Sequence, residues 1–419
     1  ENLSGQGKLE KSREATMTTK RRALVIGGSM SGLLAAITLS RRGWDVEVFE
    51  RVEKELAGRG AGIVAQAELM ARMKALGFET RDLGVTMTTR KILDQSGHVA
   101  VTLEYPQVLT AWERVYRVLR DAFPAERYHR GEGLIGFEQS ELSIIAHLSD
   151  GRAIDGDVLI GADGLRSTVR QQCLPDIAPR YAGYVAWRAL LPERAIPPAI
   201  HTELFMAMTF CLPPGEQCLG YPVAGANNEL REGQRRYNVV WYRPADETNE
   251  LPQLLTDRDG ITHSISIPPP LIRSEHINAM RAAAERLLAP QFRAIVRLIE
   301  EPILQPIYDL ESPRLAFGRV AIIGDAAFVA RPHVAAGVSK AADDAAALAE
   351  ALDAEDVEAA LRRFETQRLP ENKRIIERAR HLGAYLQATQ TAEERARSAR
   401  HSIPQAVLAE TAVLDFLRA

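Results

Sequence analysis

The sequence predicts an α/β protein: a Rossmann-like nucleotide-binding domain, a mixed β-sheet domain inserted into it, and a helical C-terminal region. Three observations carry that prediction. A strand, glycine loop, helix and second strand follow one another across residues 23–50. Two further apolar strands, far down the chain, stop abruptly at Gly161-Ala162-Asp163-Gly164 and at Gly324-Asp325. From about Tyr181, short segments rich in aromatic and β-branched residues alternate with Pro and Gly.

The first unit begins with Ala23-Leu24-Val25-Ile26 and the loop Gly27-Gly28-Ser29-Met30-Ser31-Gly32, a fingerprint of the form G-x-S-x-x-G. Gly27 makes the tight turn out of the strand, Ser29 is small where backbone approaches a diphosphate, and Gly32 lets the helix pack on the strand. A diphosphate then lies on a helix N-terminus, where N–H groups and the macrodipole favour negative charge. Gly43 closes the helix. The next strand, residues 45–49, ends at Glu50, where a carboxylate accepts hydrogen bonds from ribose hydroxyls, with Arg51 beside it. Residues 58–63, Gly-Arg-Gly-Ala-Gly-Ile, supply a glycine-rich approach to the same ligand that includes Gly62.

Residues 142–148, an Asp150-Gly151 turn and residues 153–154 read as a hairpin leading into the strand 158–160, whose end offers Asp163 and Gly164 to a ligand. Residues 184–191, 203–211, 217–221 and 237–242 read as strands of the inserted domain, and Pro268-Pro269-Pro270 as a stiff boundary. Helical pattern resumes at Ile277 and returns to the first domain. There a strand at 319–323 delivers Asp325, and a loop ending at Gly337 opens a second helix N-terminus. Residues 357–369 and 372–399 are charged, amphipathic and helical. The expected division is therefore a leader at 1–19, the nucleotide-binding domain at 20–180 and 277–352, the inserted domain at 181–276, and C-terminal helices at 353–419.

At 419 residues and 46% hydrophobic, the chain can bury a large core. A net charge of −3, with no basic cluster interleaved with aromatics, gives no reason to expect a nucleic-acid partner. The odd set Cys173, Cys211 and Cys218 forms neither a metal pattern nor a disulfide framework. No apolar run reaches a membrane span, and the polar start lacks a secretory pattern, so a cytoplasmic setting is expected.

The three ordered motifs resemble those of the group A flavoprotein monooxygenases of the para-hydroxybenzoate hydroxylase type, across residues 20–386. Within that family, Arg331-Pro332-His333, Ala335-Ala336-Gly337, Asp343-Asp344-Ala345, Tyr181-Ala182-Gly183-Tyr184 and Trp187-Arg188 are similar to segments of hydroxypyridine-hydroxylating members. The resemblance implies a glutathione-reductase-like FAD domain and FAD as resident cofactor. Gly27, Ser29, Met30, Ser31, Gly32, Glu50, Arg51 and Gly62 would then serve it, with Asp163 and Gly164 touching both FAD and a visiting NADH or NADPH. Asp325 would bind the ribityl or phosphate region, and Gly337 and Val338 would offer N–H groups to the flavin pyrimidine. Three positions depart from the family pattern: Phe328 in place of His, Ser339 in place of Asn, and Trp112 in place of Arg.

No second dinucleotide fingerprint follows Gly32. The implied enzyme is thus a single-component aromatic hydroxylase in which NAD(P)H reduces FAD and leaves, and a flavin hydroperoxide oxygenates an electron-rich ring. Molecular oxygen and a small aromatic substrate, a hydroxypyridine among the candidates, are its implied partners, with a homodimer as the candidate assembly. His333, with Pro332 beside it, is the candidate base; Arg188 is placed to pair with a ring oxyanion and Tyr221 to orient one. Other readings are a different FAD oxidoreductase, such as a dehydrogenase or halogenase, or a non-catalytic flavin-binding sensor. Trp241-Tyr242-Arg243-Pro244 in place of a WxWxIP segment weighs against halogenation.

Overall fold

A computed structural model of the chain describes residues 20–54, 56, 62–354 and 356–418. The expected leader and residues 58–61 of the glycine-rich segment 58–63 lie outside the described residues. The first sheet runs Ala316–Phe317, Val320–Ile322, Val158–Gly161, Arg22–Ile26, Asp45–Glu50, Tyr128–Arg130 in spatial order, parallel except for the hairpin at its first edge. Its central strands are apolar on both faces because helices cover one and the antiparallel strands 144–148 and 153–156 lie against the other. Helix Met30–Arg41 packs on helix Gly337–Ala351 over one of those faces. Register aligns Ile26 with Phe49 and with Gly161, so the loops bearing Gly27, Glu50, Asp163 and Asp325 open at the same end of the sheet. Ligands of open α/β sheets bind at that carboxyl edge. A small antiparallel sheet, Leu134–Gln139, Ile144–Leu148 and Ala153–Gly156, contains the expected hairpin.

The second sheet is larger than residues 181–276 alone would make it. Its nine strands run Phe328–Val329, Ile303–Glu311, Arg180–Pro192, Arg236–Pro244, Gln217–Val223, Met208–Cys211, Val85–Leu93, Val99–Ala111 and Gly62–Ala65. Residues 62–111 and 303–311 join it because their apolar faces need the same cover. Alternation sorts the side chains. Trp187, Cys218, Val239 and Trp241 enter one core beneath the sheet, whereas Ala186, Leu219, Tyr221, Val240 and Tyr242 lie on the opposite face, in a core with Leu386, Val407 and Leu408 of the C-terminal region.

Three expectations are corrected here. Residues 203–204 end the helix Pro198–Leu204, and only Met208–Cys211 is strand. Helices Ser274–Leu287 and Pro290–Arg297 do not return to the first domain: Met280, Ala283, Phe292 and Ile295 seal the outer face of the second sheet. The first domain resumes at Ala316. Residues 357–383 form one continuous helix through Pro370, because buried Phe364, Arg368, Asn372, Ile375 and Ile376 hold both sides of the proline to the core. Helices Ala392–His401 and Pro404–Glu410 follow. No helix among the described residues is long and apolar enough to cross a membrane.

Candidate active site

At the nucleotide end, two glycines are required by contact. Gly27 has φ +106°, and a Cβ there would lie 2.3 Å from the Ala162 carbonyl oxygen; a Cβ on Gly32 would lie 1.8 Å from the Gly27 carbonyl oxygen. Ser29 occupies the N-cap of helix Met30–Arg41 without a side-chain hydrogen bond, so the helix end is left to a ligand. Glu50 is buried, with Oε2 accepting from Gly28 N at 2.8 Å and Oε1 from Val52 N at 2.9 Å. Those bonds fix the carboxylate at the cavity wall, and its remaining lone pairs are the ones a ribose can use. Arg51 is exposed beside it, and both line a cavity with Gly27, Ser29, Trp112 and Gly164.

Asp163 lines the same cavity, and its carboxylate bonds to its own chain. It accepts from Ser167 Oγ at 2.5 Å and Thr168 N at 2.7 Å, anchoring the start of helix Thr168–Cys173. Burial raises its pKa, opposed by those hydrogen bonds. Asp163 and Gly164 both line the cavity, and the Asp163 oxygens, expected to face ligand, also hold the turn at Ser167 and Thr168. Asp325 differs. It stands open to the cleft, and the protein crowded behind it raises its pKa against the pull of buried Lys340.

A second cavity shares Ser29 and Trp112 with the first and runs on between the two domains. Met30, Ser31, Gly62 and Asp325 line its near end. Helix Gly337–Ala351 enters it by its N-terminus, where Ala336 makes no side-chain cap, Gly337 is exposed, and Val338 lies beside it. The strained residue of this loop is Ala335, left-handed at φ 48°. Arg331 ties the loop down through Asp309 at 2.8 Å and Gln387 at 2.7 Å.

The floor is the sheet face. Tyr221 and Tyr242 are buried there, and neither hydroxyl has a partner among the described residues. Burial raises both phenols, Tyr221 to about 12, with the Arg188 charge pulling each back. Arg188 donates to Gln305 Oε1 at 2.7 Å and to the Gly62 carbonyl at 3.3 Å, which sets its guanidinium at the cavity wall. His333 is buried in the roof beside Pro332, with Nε2 2.9 Å from Tyr184 Oη and its ring centroid 4.6 Å from that of Tyr242. Burial, aided by the Arg331 charge, lowers its pKa to about 3. An imidazole that weakly basic is poorly matched to general-base work near neutrality.

The structure thus gathers Arg188, Tyr221, Pro332, His333, Gly337 and Val338 around one cavity. Sequence reasoning missed Tyr242 and Gln217. The signal was period-two alternation: Gln217 pairs across the sheet with Tyr242, and Tyr221 follows Gln217 by four residues on the same face.

The two connected cavities fit FAD: a glycine turn that tolerates no Cβ and a free helix N-terminus at one end, an exposed Gly337 N-terminus at the other, and an open carboxylate, Asp325, between them. Family models agree. Residues 20–217 match an FAD binding domain and residues 181–309 an FAD binding domain-like model. The chain is 33% identical over 371 residues to 2,6-dihydroxypyridine 3-monooxygenase of Paenarthrobacter nicotinovorans, covering 88% of this chain and 92% of that one. It is 28% identical to 3-amino-4-hydroxybenzoate 2-monooxygenase of Streptomyces cremeus, covering 86% of each. The solved structure of 2,6-dihydroxypyridine-3-hydroxylase from Arthrobacter nicotinovorans superposes with TM-score 0.83 at 32% identity, covering 89% of this chain and 94% of that one. With its motifs, cavities and relatives in agreement, the chain belongs to the FAD-dependent aromatic monooxygenases.

Proposed function

We propose that this enzyme is a single-component hydroxylase that consumes NAD(P)H and molecular oxygen and adds one hydroxyl group to an oxygen-bearing aromatic ring, a hydroxypyridine. The observation that carries this reading is the floor of the interdomain cavity, where Arg188 and the unpartnered hydroxyls of Tyr221 and Tyr242 converge under the Gly337 loop. Bound FAD supplies hydride acceptance and oxygen activation, chemistry that belongs to the cofactor.

The side chains prepare the ring. Electrophilic attack needs electron density, which a ring gains by losing a hydroxyl proton. Both phenols keep their own protons at neutral pH, so each donates to a ring oxyanion, and the Arg188 charge favours that anion further. The site lowers the substrate's pKa, so the ring binds as its anion with the proton left in bulk water and none passed to His333; His333 and Pro332 shape the roof. Apolar Leu219, Val240 and Met208 exclude water from the same cavity.

For the visiting NAD(P)H we propose the neighbouring opening lined by Arg51, Trp112, Gly164, Arg166 and Tyr308. Exposed Arg51 and Arg166 offer cations to its diphosphate. The experiment is oxygen uptake with NADH or NADPH across hydroxypyridines and hydroxybenzoates, with product mass as readout. Ring-stimulated uptake with a product heavier by one oxygen is expected. Ring-independent uptake with no oxygenated product overturns the reading.

A further inference from the structure

We propose that Gln217 reads the lactam edge of a nitrogen heterocycle, so that the cavity selects pyridone-type rings over carbocyclic phenols; this rests on the hydroxylase reading above. Gln217 is 1% exposed on the apolar cavity face, and its Oε1 has no hydrogen-bond partner among the described residues. Other carboxamide oxygens nearby are engaged: Asn238 Oδ1 accepts from Gly62 N at 2.9 Å, and Gln305 Oε1 accepts from Arg188 at 2.7 Å. A buried amide oxygen without a donor is costly, and a ligand that supplies the donor removes the cost.

The chemistry of that ligand follows from the group. A primary carboxamide presents an acceptor and a donor side by side in one plane. Its complement is an N–H beside a C=O held cis, which is the edge of a hydroxypyridine in its pyridone tautomer. A phenol offers a C–H where the ring N–H would stand and cannot match both atoms in that plane. Tyr221 and Tyr242 take a ring oxygen from either class and so do not discriminate. Gln217 stands directly across the sheet from Tyr242, which places the reader of the lactam edge beside the donor to a ring oxygen.

The test measures dissociation constants on the FAD-loaded enzyme, from the change in flavin absorbance, for 2,6-dihydroxypyridine, the substrate named for a relative, and for resorcinol, its carbocyclic counterpart. The wild-type preference for the pyridine is expected to be about 10- to 100-fold and to collapse to within about 3-fold in Gln217→Met, with flavin content retained. A second measurement does not depend on the variant's folding: an N-methylated pyridone loses affinity for the wild-type enzyme by a similar factor. Equal wild-type affinity for both rings, a preference that survives in Gln217→Met, or undiminished binding of the N-methyl analogue overturns the assignment of Gln217 alone. A wild-type enzyme whose flavin spectrum and oxygen uptake respond to neither ring overturns the hydroxylase reading and this inference with it.

Discussion

A histidine whose pKa is lowered to about 3 stays uncharged near neutrality. Replacing His333 by Gln should therefore leave the shape of the kcat profile between about pH 6 and 9 unchanged, while altering how the roof holds the ring. Loss of an inflection in that range on substitution would restore His333 as the base. Stability behaves differently. The folded pKa lies below the ordinary 6.5, so the unfolded chain takes the proton first. The contribution of His333 is complete above about pH 6.5 and is lost progressively as pH falls toward about 3. Thermal melts of wild type and His333→Gln across acid pH measure it, and the variant should show the shallower decline. Arg188→Met should weaken substrate binding by about 10- to 100-fold and raise the pKa of the bound ring, with FAD content unchanged. Unchanged ring titration, followed by its ultraviolet spectrum, would remove Arg188 from the site.

Elements were legible where local pattern and tertiary need agree. The strand read at 23–26, the helix read after the glycine loop and the strand read at 45–49 formed within a few residues of those bounds, at 22–26, 30–41 and 45–50, because fingerprint, apolar run and cap all act within 30 residues. Gly32→Ala tests this element: a Cβ 1.8 Å from the Gly27 carbonyl forces helix and strand apart, at about 1–3 kcal/mol or more, and the variant should purify without bound flavin. Full flavin content in that variant would show that the loop is not set by this contact. Illegible elements are those whose partners lie far away. Nothing local tells residues 62–111 and 303–311 that they share a sheet with 181–244, and nothing local marks helices 274–297 as its cover. The site divides similarly. Gly337 was readable as a helix start, whereas the bonding of Asp163 depends on Ser167 and Thr168, and the lowered pKa of His333 depends on burial under the roof and on Arg331.

Across the whole molecule, one buried polar knot joins the cofactor edge of the first sheet to the C-terminal helices. Asp344 accepts from Gly324 N at 3.2 Å, Arg368 Nε at 2.9 Å and Asn372 Nδ2 at 3.1 Å, with Lys340 Nζ 3.7 Å away. Asp344→Ala removes the carboxylate shared by Lys340 and Arg368, leaving Arg368 ion-paired with Glu371 alone, and should cost about 3 kcal/mol of stability, read from denaturant unfolding of the holoenzyme. A loss below about 1 kcal/mol would mean that water or relaxation replaces the carboxylate. The same architecture places the FAD cleft and the tyrosine-lined sheet face against each other, so that a ring bound between them should receive an oxygen atom from dioxygen. Turnover of 2,6-dihydroxypyridine, the ring named for a relative, with NAD(P)H under isotopically labelled dioxygen tests it most directly by product mass. One labelled oxygen is expected in each product molecule; oxygen drawn from water, or a ring recovered unchanged while NAD(P)H is consumed, would show that the ring is not oxygenated by dioxygen at this site.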